Sequence, residues 1–376
     1  MITLIKNGKV IDKDFKGFTE RELWVEDGRI TDAPTSNNDV NVVDAKGNYV
    51  LPGLIDIHNH GSKGIYYGTA SDFKNALEYT VKAGVTSVLP SIGVLPLDEF
   101  LAAIKSIVNK KKSEALGIMI DGIHLEGPFI SIEKKGAMRM PSIEATVENF
   151  NKMIDAGEGL VKIMTIAPER ENAPEIIAEG KTRGIRMSVG HTMATYEETV
   201  RAIDAGASGA THTFNAMRSY NHRESGVLGA VLTDNRVTCE TICDFVHLAE
   251  PTVRIINKCK GVDGMILISD AGAQTGMPDG EYVFGGTTKI VKNGVSTLPN
   301  GTIAGSTKPM SYGAQNLVKM GFSMNEVSKM GSYNPAKAIG MDNEIGSIES
   351  GKRANIIIVD EAFNVNSVFL DGSKIL

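Results

Sequence analysis

Cysteine is scarce in this chain, with three among 376 residues: Cys239, Cys243 and Cys259. Three thiols at irregular spacing cannot build a disulfide framework. Cys239 and Cys243 sit inside a β-like run, where they read as small buried hydrophobes rather than zinc ligands. A reducing cytoplasm is the expected setting. Cationic excess is missing as well: 39 Lys and Arg against 45 Asp and Glu leave a net charge of −6. With no Lys/Arg stripe, no nucleic-acid partner is expected. The basic run Lys110-Lys111-Lys112 closes a helix-like segment, where cations favour the carbonyl end. No apolar run approaches the length of a membrane span, so no membrane partner is expected. The segment Met1–Ile11 reads as a hairpin rather than a signal peptide.

What is present is an ordinary globular composition, 42% apolar and 22% charged, with a strongly ordered middle. Eight short apolar runs recur there: Gly53–His58, Thr86–Pro90, Ile118–Glu126, Val161–Ala167, Arg186–His191, Gly209–Thr213, Thr238–Asp244 and Met265–Asp270. Helix-like stretches alternate with them at 73–83, 97–109, 147–156, 173–183, 196–205 and 251–260, and 310–320 and 324–330 follow. Strand and helix in alternation imply right-handed β-α-β units on a parallel sheet, and eight repeats predict a closed (β/α)8 TIM barrel. The ends differ: residues 1–52 and 341–376 show short β-like runs with turn signals such as Asn7-Gly8 and Asp371-Gly372. Neither end buries much alone, and small sheets need a partner face. Both are therefore expected to build one small β-sandwich domain beside a barrel over 53–340.

Barrel active sites gather at the carboxyl ends of the strands, and five of the eight predicted strands end in chemistry: His58 and His60, Glu126, His191, His212 and Asp270. In His58-Asn59-His60 the two imidazoles occupy alternate positions of a strand, so they share one side and can reach one ion. Each residue alone has a bland reading as a cap, turn or core group. Convergence of all five at one barrel mouth points instead to a metal site. Imidazole plus carboxylate suits zinc, iron or a similar divalent ion.

The same elements resemble a known family. Pro52-Gly53-Leu54-Ile55-Asp56-x-His58-x-His60-Gly61, His124-Leu125-Glu126-Gly127-Pro128, Lys134-Lys135-Gly136-Ala137, Gly190-His191-Thr192, His212-x-x-Asn215-Ala216-Met217 and Ser269-Asp270-Ala271 are similar to the amidohydrolase superfamily. Within it they resemble the N-acetylglucosamine-6-phosphate deacetylases. The resemblance implies that Glu126, His191 and His212 hold the hydrolytic metal, that His58 and His60 build an adjacent second position, and that Asp270 is the catalytic carboxylate. One or two ions per subunit are implied, zinc first and iron second. It further implies substrate contacts at Ala137, Met138, Asn215, Ala216, Arg223, His247, Ile303, Ala304 and Gly305. The implied substrate is an amino-sugar phosphate, N-acetylglucosamine 6-phosphate, and the implied assembly a homodimer whose neighbouring subunit can contribute contacts.

Such parts fit amide hydrolysis: a metal supplies hydroxide at neutral pH, and Asp270 takes its proton and returns it to the departing amine. Three departures fall on the substrate wall. Met138 stands where the family usually has a histidine, Phe245 where glycine is usual, and Ser225 where proline is common. A thioether donates no proton. Either the second metal takes over carbonyl polarisation, or the pocket accepts another N-acyl compound such as N-acetylgalactosamine 6-phosphate. A catalytically silent metal-binding paralogue is the alternative of a different class. Arg223 favours an anionic substrate, against a plainer reading as a surface partner of Glu224 or Asp234. His222 and His124 are expected to be a loop residue and a core or supporting residue.

Overall fold

Eight short runs rich in Val, Ile, Leu and Thr line up as one parallel sheet in the computed structural model, which describes residues 2–35, 39–138 and 143–376. The strands are Leu54–Asn59 (β1), Val85–Ile92 (β2), Ile123–Glu126 (β3), Val161–Ile166 (β4), Arg186–Val189 (β5), Gly209–Ala210 (β6), Thr238–Ile242 (β7) and Met265–Ile268 (β8). β1, β2, β3, β5, β6 and β8 are buried along their whole length. Parallel strands covered on both faces read as unbroken apolar runs for that reason. The Asp270 N–H donates to the His58 carbonyl at 3.0 Å, and Asn59 bridges Ala271 in parallel. These contacts bring the end of β8 back to β1 and close the (β/α)8 barrel.

Helices follow the strands at Lys74–Lys82, Leu97–Ser113, Val147–Ala156, Ala173–Thr182, Tyr196–Ala205, Gly226–Thr233, Glu250–Lys260 and Met310–Lys319. Local sequence sets their limits. Thr195 and Glu198 form a reciprocal capping box ahead of Tyr196, and Lys110, Lys111 and Lys112 occupy the last turn of their helix. The helix Gly226–Thr233 is absent from the sequence expectation. Its residues, GVLGAVLT, are buried up to Leu232, so it carries no polar stripe to betray a helical period.

The termini form two further sheets. One orders its strands Arg29–Thr31, Leu23–Glu26, Ile2–Lys6, Val40–Asp44; the other orders Ser373–Lys374, Val365–Leu370, Ile356–Val359, Tyr49–Pro52, Lys9–Ile11, Phe18–Glu20. Antiparallel pairing of Tyr49–Pro52 with Ile356–Val359 ties the two ends of the chain together. The expected N-terminal hairpin is corrected: Ile2–Lys6 and Lys9–Ile11 lie in different sheets, and Met1 is outside the described residues. Ile2, Ile5, Val10 and Ile11 are all buried, and two layers bury both segments where one hairpin would expose a face. Gly8 makes the passage because a Cβ there would stand 2.6 Å from Val50 Cγ2.

A second departure follows β8. Gly280–Phe284 (β9), Thr287–Lys292 (β10) and Val295–Thr297 (β11) form an antiparallel three-stranded sheet inserted before the helix Met310–Lys319. Its Phe284, Gly285, Thr287 and Lys289 line the cavity at the barrel mouth.

Candidate active site

The strand ends deliver the chemistry by sharp turns. His58 is the penultimate residue of β1, buried like the rest of the strand, and His60 stands just beyond its end. Gly61 then turns the chain at φ 139°, where a Cβ would lie 1.9 Å from the Ile65 carbonyl oxygen, so no other residue fits. Buried Asp56 accepts from Asn59 Nδ2 at 2.9 Å and Ser269 Oγ at 2.5 Å, holding the ends of β1 and β8 together. Glu126 ends β3. His191, His212 and Asp270 follow β5, β6 and β8 with φ of 49°, 29° and 48°. Such left-handed conformations cost a non-glycine residue about 1–3 kcal/mol and are held where the surroundings enforce them.

Four imidazole Nε2 atoms and Glu126 converge. Glu126 Oε1 lies 3.1 Å from His191 Nε2 and 3.0 Å from His212 Nε2, and those two nitrogens are 2.9 Å apart. On the other side His58 Nε2 is 3.2 Å from Glu126 Oε1, His60 Nε2 is 3.1 Å from Glu126 Oε2, and the two imidazoles approach to 3.3 Å. Asp270 Oδ1 stands 3.6 Å from His58 Nε2 and 3.5 Å from His60 Nε2. Glu126, His191 and His212 form one potential ligand group and His58, His60 and Glu126 a second, with the glutamate shared.

The far side of three of the four rings, those of His60, His191 and His58, fixes its proton. His60 Nδ1 faces the Ser91 carbonyl at 3.0 Å, His191 Nδ1 the Lys134 carbonyl at 2.6 Å, and His58 Nδ1 the Glu240 carboxylate at 3.1 Å. Each partner accepts, so each Nδ1 carries the hydrogen and each Nε2 presents a lone pair when neutral. Lone pairs then face carboxylate oxygens at hydrogen-bond distance, an arrangement that demands a cation between them. Ligand nitrogens around tetrahedral zinc sit about 3.3 Å apart, close to the spacing seen. The residues present therefore fit a divalent ion.

Electrostatics carry the same demand. Burial opposes the charged form of His58, but Glu126, Glu240 and Asp270 outweigh it and push its proton affinity well above the usual imidazole range. Burial likewise opposes ionisation of Glu126, yet His58 and His60, with bonds from His191 and His212, hold it well below the usual carboxylate range. His124 behaves differently: buried and bonded to Ser91 Oγ and Thr165 Oγ1, it is driven by burial well below the usual range and supports the strands beneath the site.

The convergence opens into a cavity of about 590 Å³. Ala137, Met138, Asn215, Ala216, His247, Ile303, Ala304 and Gly305 all line it, with His60, Glu126, His191, His212 and Asp270 at its floor. His58 is buried beneath. Arg223 is placed elsewhere: it is exposed and outside the cavity of its own chain. Its suggested surface partners are occupied, Glu224 by Arg218 and Asp234 by Arg236. His222 is an exposed loop residue. His247 Nδ1 pairs with Asp244 Oδ2 at 2.8 Å, and this pairing, against the cost of burial, raises the proton affinity of His247.

Sequence reasoning missed Glu240, Tyr66 and Lys289. Glu240 lies fully buried in β7, and its Oε2 receives both His58 Nδ1 and, at 3.3 Å, the His212 backbone N–H. A lone acid inside the apolar run Cys239-Glu240-Thr241-Ile242 was its signal. Tyr66 stacks on His60 at 6.2 Å between ring centroids.

Comparison with known proteins gives consistent relatives. The model of the amidohydrolase family matches residues 49–375. A protein of Lysinibacillus sphaericus named N-acetylglucosamine-6-phosphate deacetylase is 33% identical over 364 residues, 95% of this chain and 94% of that one. A protein of Escherichia coli O157:H7 named N-acetylgalactosamine-6-phosphate deacetylase is 32% identical over 358 residues, 94% of each. The crystal structure of N-acetylglucosamine-6-phosphate deacetylase from Pasteurella multocida superposes with a TM-score of 0.92 at 30% identity, covering 100% of this chain and 99% of that one.

Proposed function

The chain belongs to the amidohydrolase family, and on that premise we propose that it hydrolyses the acetamide of N-acetylglucosamine 6-phosphate, releasing acetate and glucosamine 6-phosphate. The observation that carries the reading is the meeting of Glu126, His191 and His212 within 3.1 Å of one another, with Asp270 3.5 Å from the adjoining His60. Relatives bearing that activity's name at 33% and 30% identity over nearly the whole chain support it.

A divalent ion bound to these donors supplies Lewis acidity, polarising an acyl carbonyl and making water nucleophilic near neutral pH. Zinc is the proposed ion: Glu126, His191 and His212 would hold it, and His58 and His60 would offer a second position with Glu126 shared. Asp270 takes the proton of the attacking water and delivers it to the amine as the C–N bond breaks. The Nδ1 contacts to Lys134, Ser91 and Glu240 keep the imidazoles oriented through turnover. Asn215, Ala216 and His247 receive the phosphosugar, while Met138 gives the opposite wall no proton to donate. The proposal includes a cytoplasmic homodimer, in which exposed Arg223 is free to meet a neighbouring subunit, and the division of the chain into 1–52 with 341–376 and 53–340. Among the described residues, no helix is long and apolar enough to cross a membrane.

Acetate release from N-acetylglucosamine 6-phosphate, N-acetylgalactosamine 6-phosphate and unphosphorylated N-acetylglucosamine, with zinc or ferrous ion added, tests the reading. The glucosamine epimer with its phosphate is expected to be hydrolysed fastest. Faster release from the galactosamine epimer would move the substrate; no release from any of the three would remove the deacetylase reading.

A further inference from the structure

The cavity holds an amine that the mechanism above leaves unused. Lys289 lies on β10, opposite Tyr282 of β9, and its side chain lines the cavity. Its Nζ donates to the Ala304 carbonyl at 3.1 Å and meets Gln274 Oε1 at 3.4 Å. Gln274 Nε2 itself donates to the Ala304 carbonyl at 3.0 Å, so amine and amide share one clamp.

That clamp rests on the catalytic carboxylate's own backbone. The Ser306 N–H donates to the Asp270 carbonyl at 2.8 Å, and a Cβ on Gly305 would stand 3.2 Å from the same oxygen. Residues 304–306 thus lie flat against Asp270, and Lys289 is pinned to them. An ammonium carries three N–H groups; two face Ala304 and Gln274, which leaves the third for a ligand in the cavity. Burial lowers the proton affinity of Lys289, while the charges of Asp270 and Glu126 sustain it. Lys289, Asp270 and Glu126 line the same cavity. Lys135, another amine lining the cavity, donates to the Met138 carbonyl at 3.1 Å.

We propose that Lys289 is a catalytic residue whose third N–H donates to the acyl oxygen of the bound amide as that oxygen becomes negative in the tetrahedral stage. A fixed donor aimed at developing charge in a site shielded from water acts on the transition state more than on the bound substrate. It supplies, from the inserted sheet, the proton donor that Met138 does not provide. The proposal deepens the deacetylase reading and rests on it.

The test uses the metal-loaded enzyme and Lys289→Met, which keeps the length and apolar stem but no donor. Substrates are N-acetyl- and N-trifluoroacetylglucosamine 6-phosphate, with metal content and thermal unfolding measured alongside. For the acetyl substrate kcat is expected to fall by roughly 10²–10³-fold, the range for removal of one oxyanion donor, with KM and metal content nearly unchanged. The trifluoroacetyl substrate, whose fluorines stabilise the tetrahedral oxyanion themselves, should lose much less. Equal losses on both substrates, or a loss confined to KM, would overturn the proposal. Lys289→Gln, which retains a neutral N–H, covers the case in which the methionine variant fails to fold: a smaller loss with the same acyl dependence supports the role, and wild-type kcat removes it. Wild-type inactivity on both substrates would remove the deacetylase reading and this proposal with it, whereas an active wild type with an unaffected Lys289→Met would remove this proposal alone.

Discussion

Glu240→Gln separates the two halves of the metal site, because Glu240 supports them unequally. Its Oε2 receives the His58 Nδ1 proton at 3.1 Å but reaches His212 only through the backbone N–H at 3.3 Å. A buried hydrogen bond to a charged acceptor contributes about 1.5–3 kcal/mol and a neutral one about 0.5–1.5 kcal/mol. Turning carboxylate into amide at constant shape therefore weakens the hold on His58 by about 1–1.5 kcal/mol, close to tenfold in metal affinity. Measured losses on removing such supporting partners run from about 10- to 100-fold, so tenfold is a modest expectation for a variant that still accepts a bond. Titration of metal-free enzyme with zinc against a competing chelator, fitted to two sites, reads both halves. The weaker site should lose about tenfold and the Glu126/His191/His212 site less than twofold. Equal weakening of both sites, or none, would refute the assignment of Glu240 to His58, and thermal unfolding of the metal-free variant guards against a general loss of fold.

Three further outcomes are expected. Asp270→Asn should abolish acetate release while metal content by elemental analysis stays at the wild-type value; near-normal turnover would contradict its role as proton carrier. Gly61→Ala forces a Cβ to within 1.9 Å of the Ile65 carbonyl oxygen at φ 139°, and denaturant unfolding should show a loss of at least about 2 kcal/mol. Asp244 accepts from His247 Nδ1, two backbone N–H groups and Ser306 Oγ, and against burial His247 and the two backbone N–H groups bring its carboxyl down to about 2. A depressed carboxyl contributes stability above its unfolded value of 3.8 and loses it as pH falls toward about 2. Raised His247 contributes fully below the usual imidazole value of 6.5 and loses its share as pH rises through its folded value. Urea unfolding of Asp244→Asn across pH should flatten both limbs; retention of the acid limb would place its origin elsewhere.

The strands and five of their chemical ends were legible because a barrel strand is a short apolar run and its last residue is not. His58, His60, Glu126, His191, His212 and Asp270 each interrupt such a run, and the topology alone gathers them. What escaped lacked that contrast. Gly226–Thr233 is apolar all round, so no period showed. β9 to β11 are half-exposed and polar, and Lys289 in Thr287-Thr288-Lys289-Ile290 resembles a solvent-facing residue of any surface strand. Its inward direction is set by pairing with Tyr282 and by the clamp on Ala304, which no local pattern encodes. Arg223 shows the converse: its motif was readable, but its distance from the cavity depends on where the loop before Gly226 lies. The expected hairpin failed because Asn7-Gly8 marks a turn without saying whether the chain returns to the same sheet or crosses to another.

The pairing of Tyr49–Pro52 with Ile356–Val359 also bears on the order in which the molecule assembles. Leu54–Asn59, the first barrel strand to leave the ribosome, follows directly from a segment whose partner is made some three hundred residues later. Closing so long a loop is entropically unfavourable and slow. β2 to β8 can associate with their sequence neighbours as they emerge, but β1 must wait at one side for β8 and at its base for Ile356–Val359. His58 on this strand and His60 just past it are thus among the first ligands synthesised and among the last to be fixed, the full ligand set being completed only once Ile356–Val359 has been made.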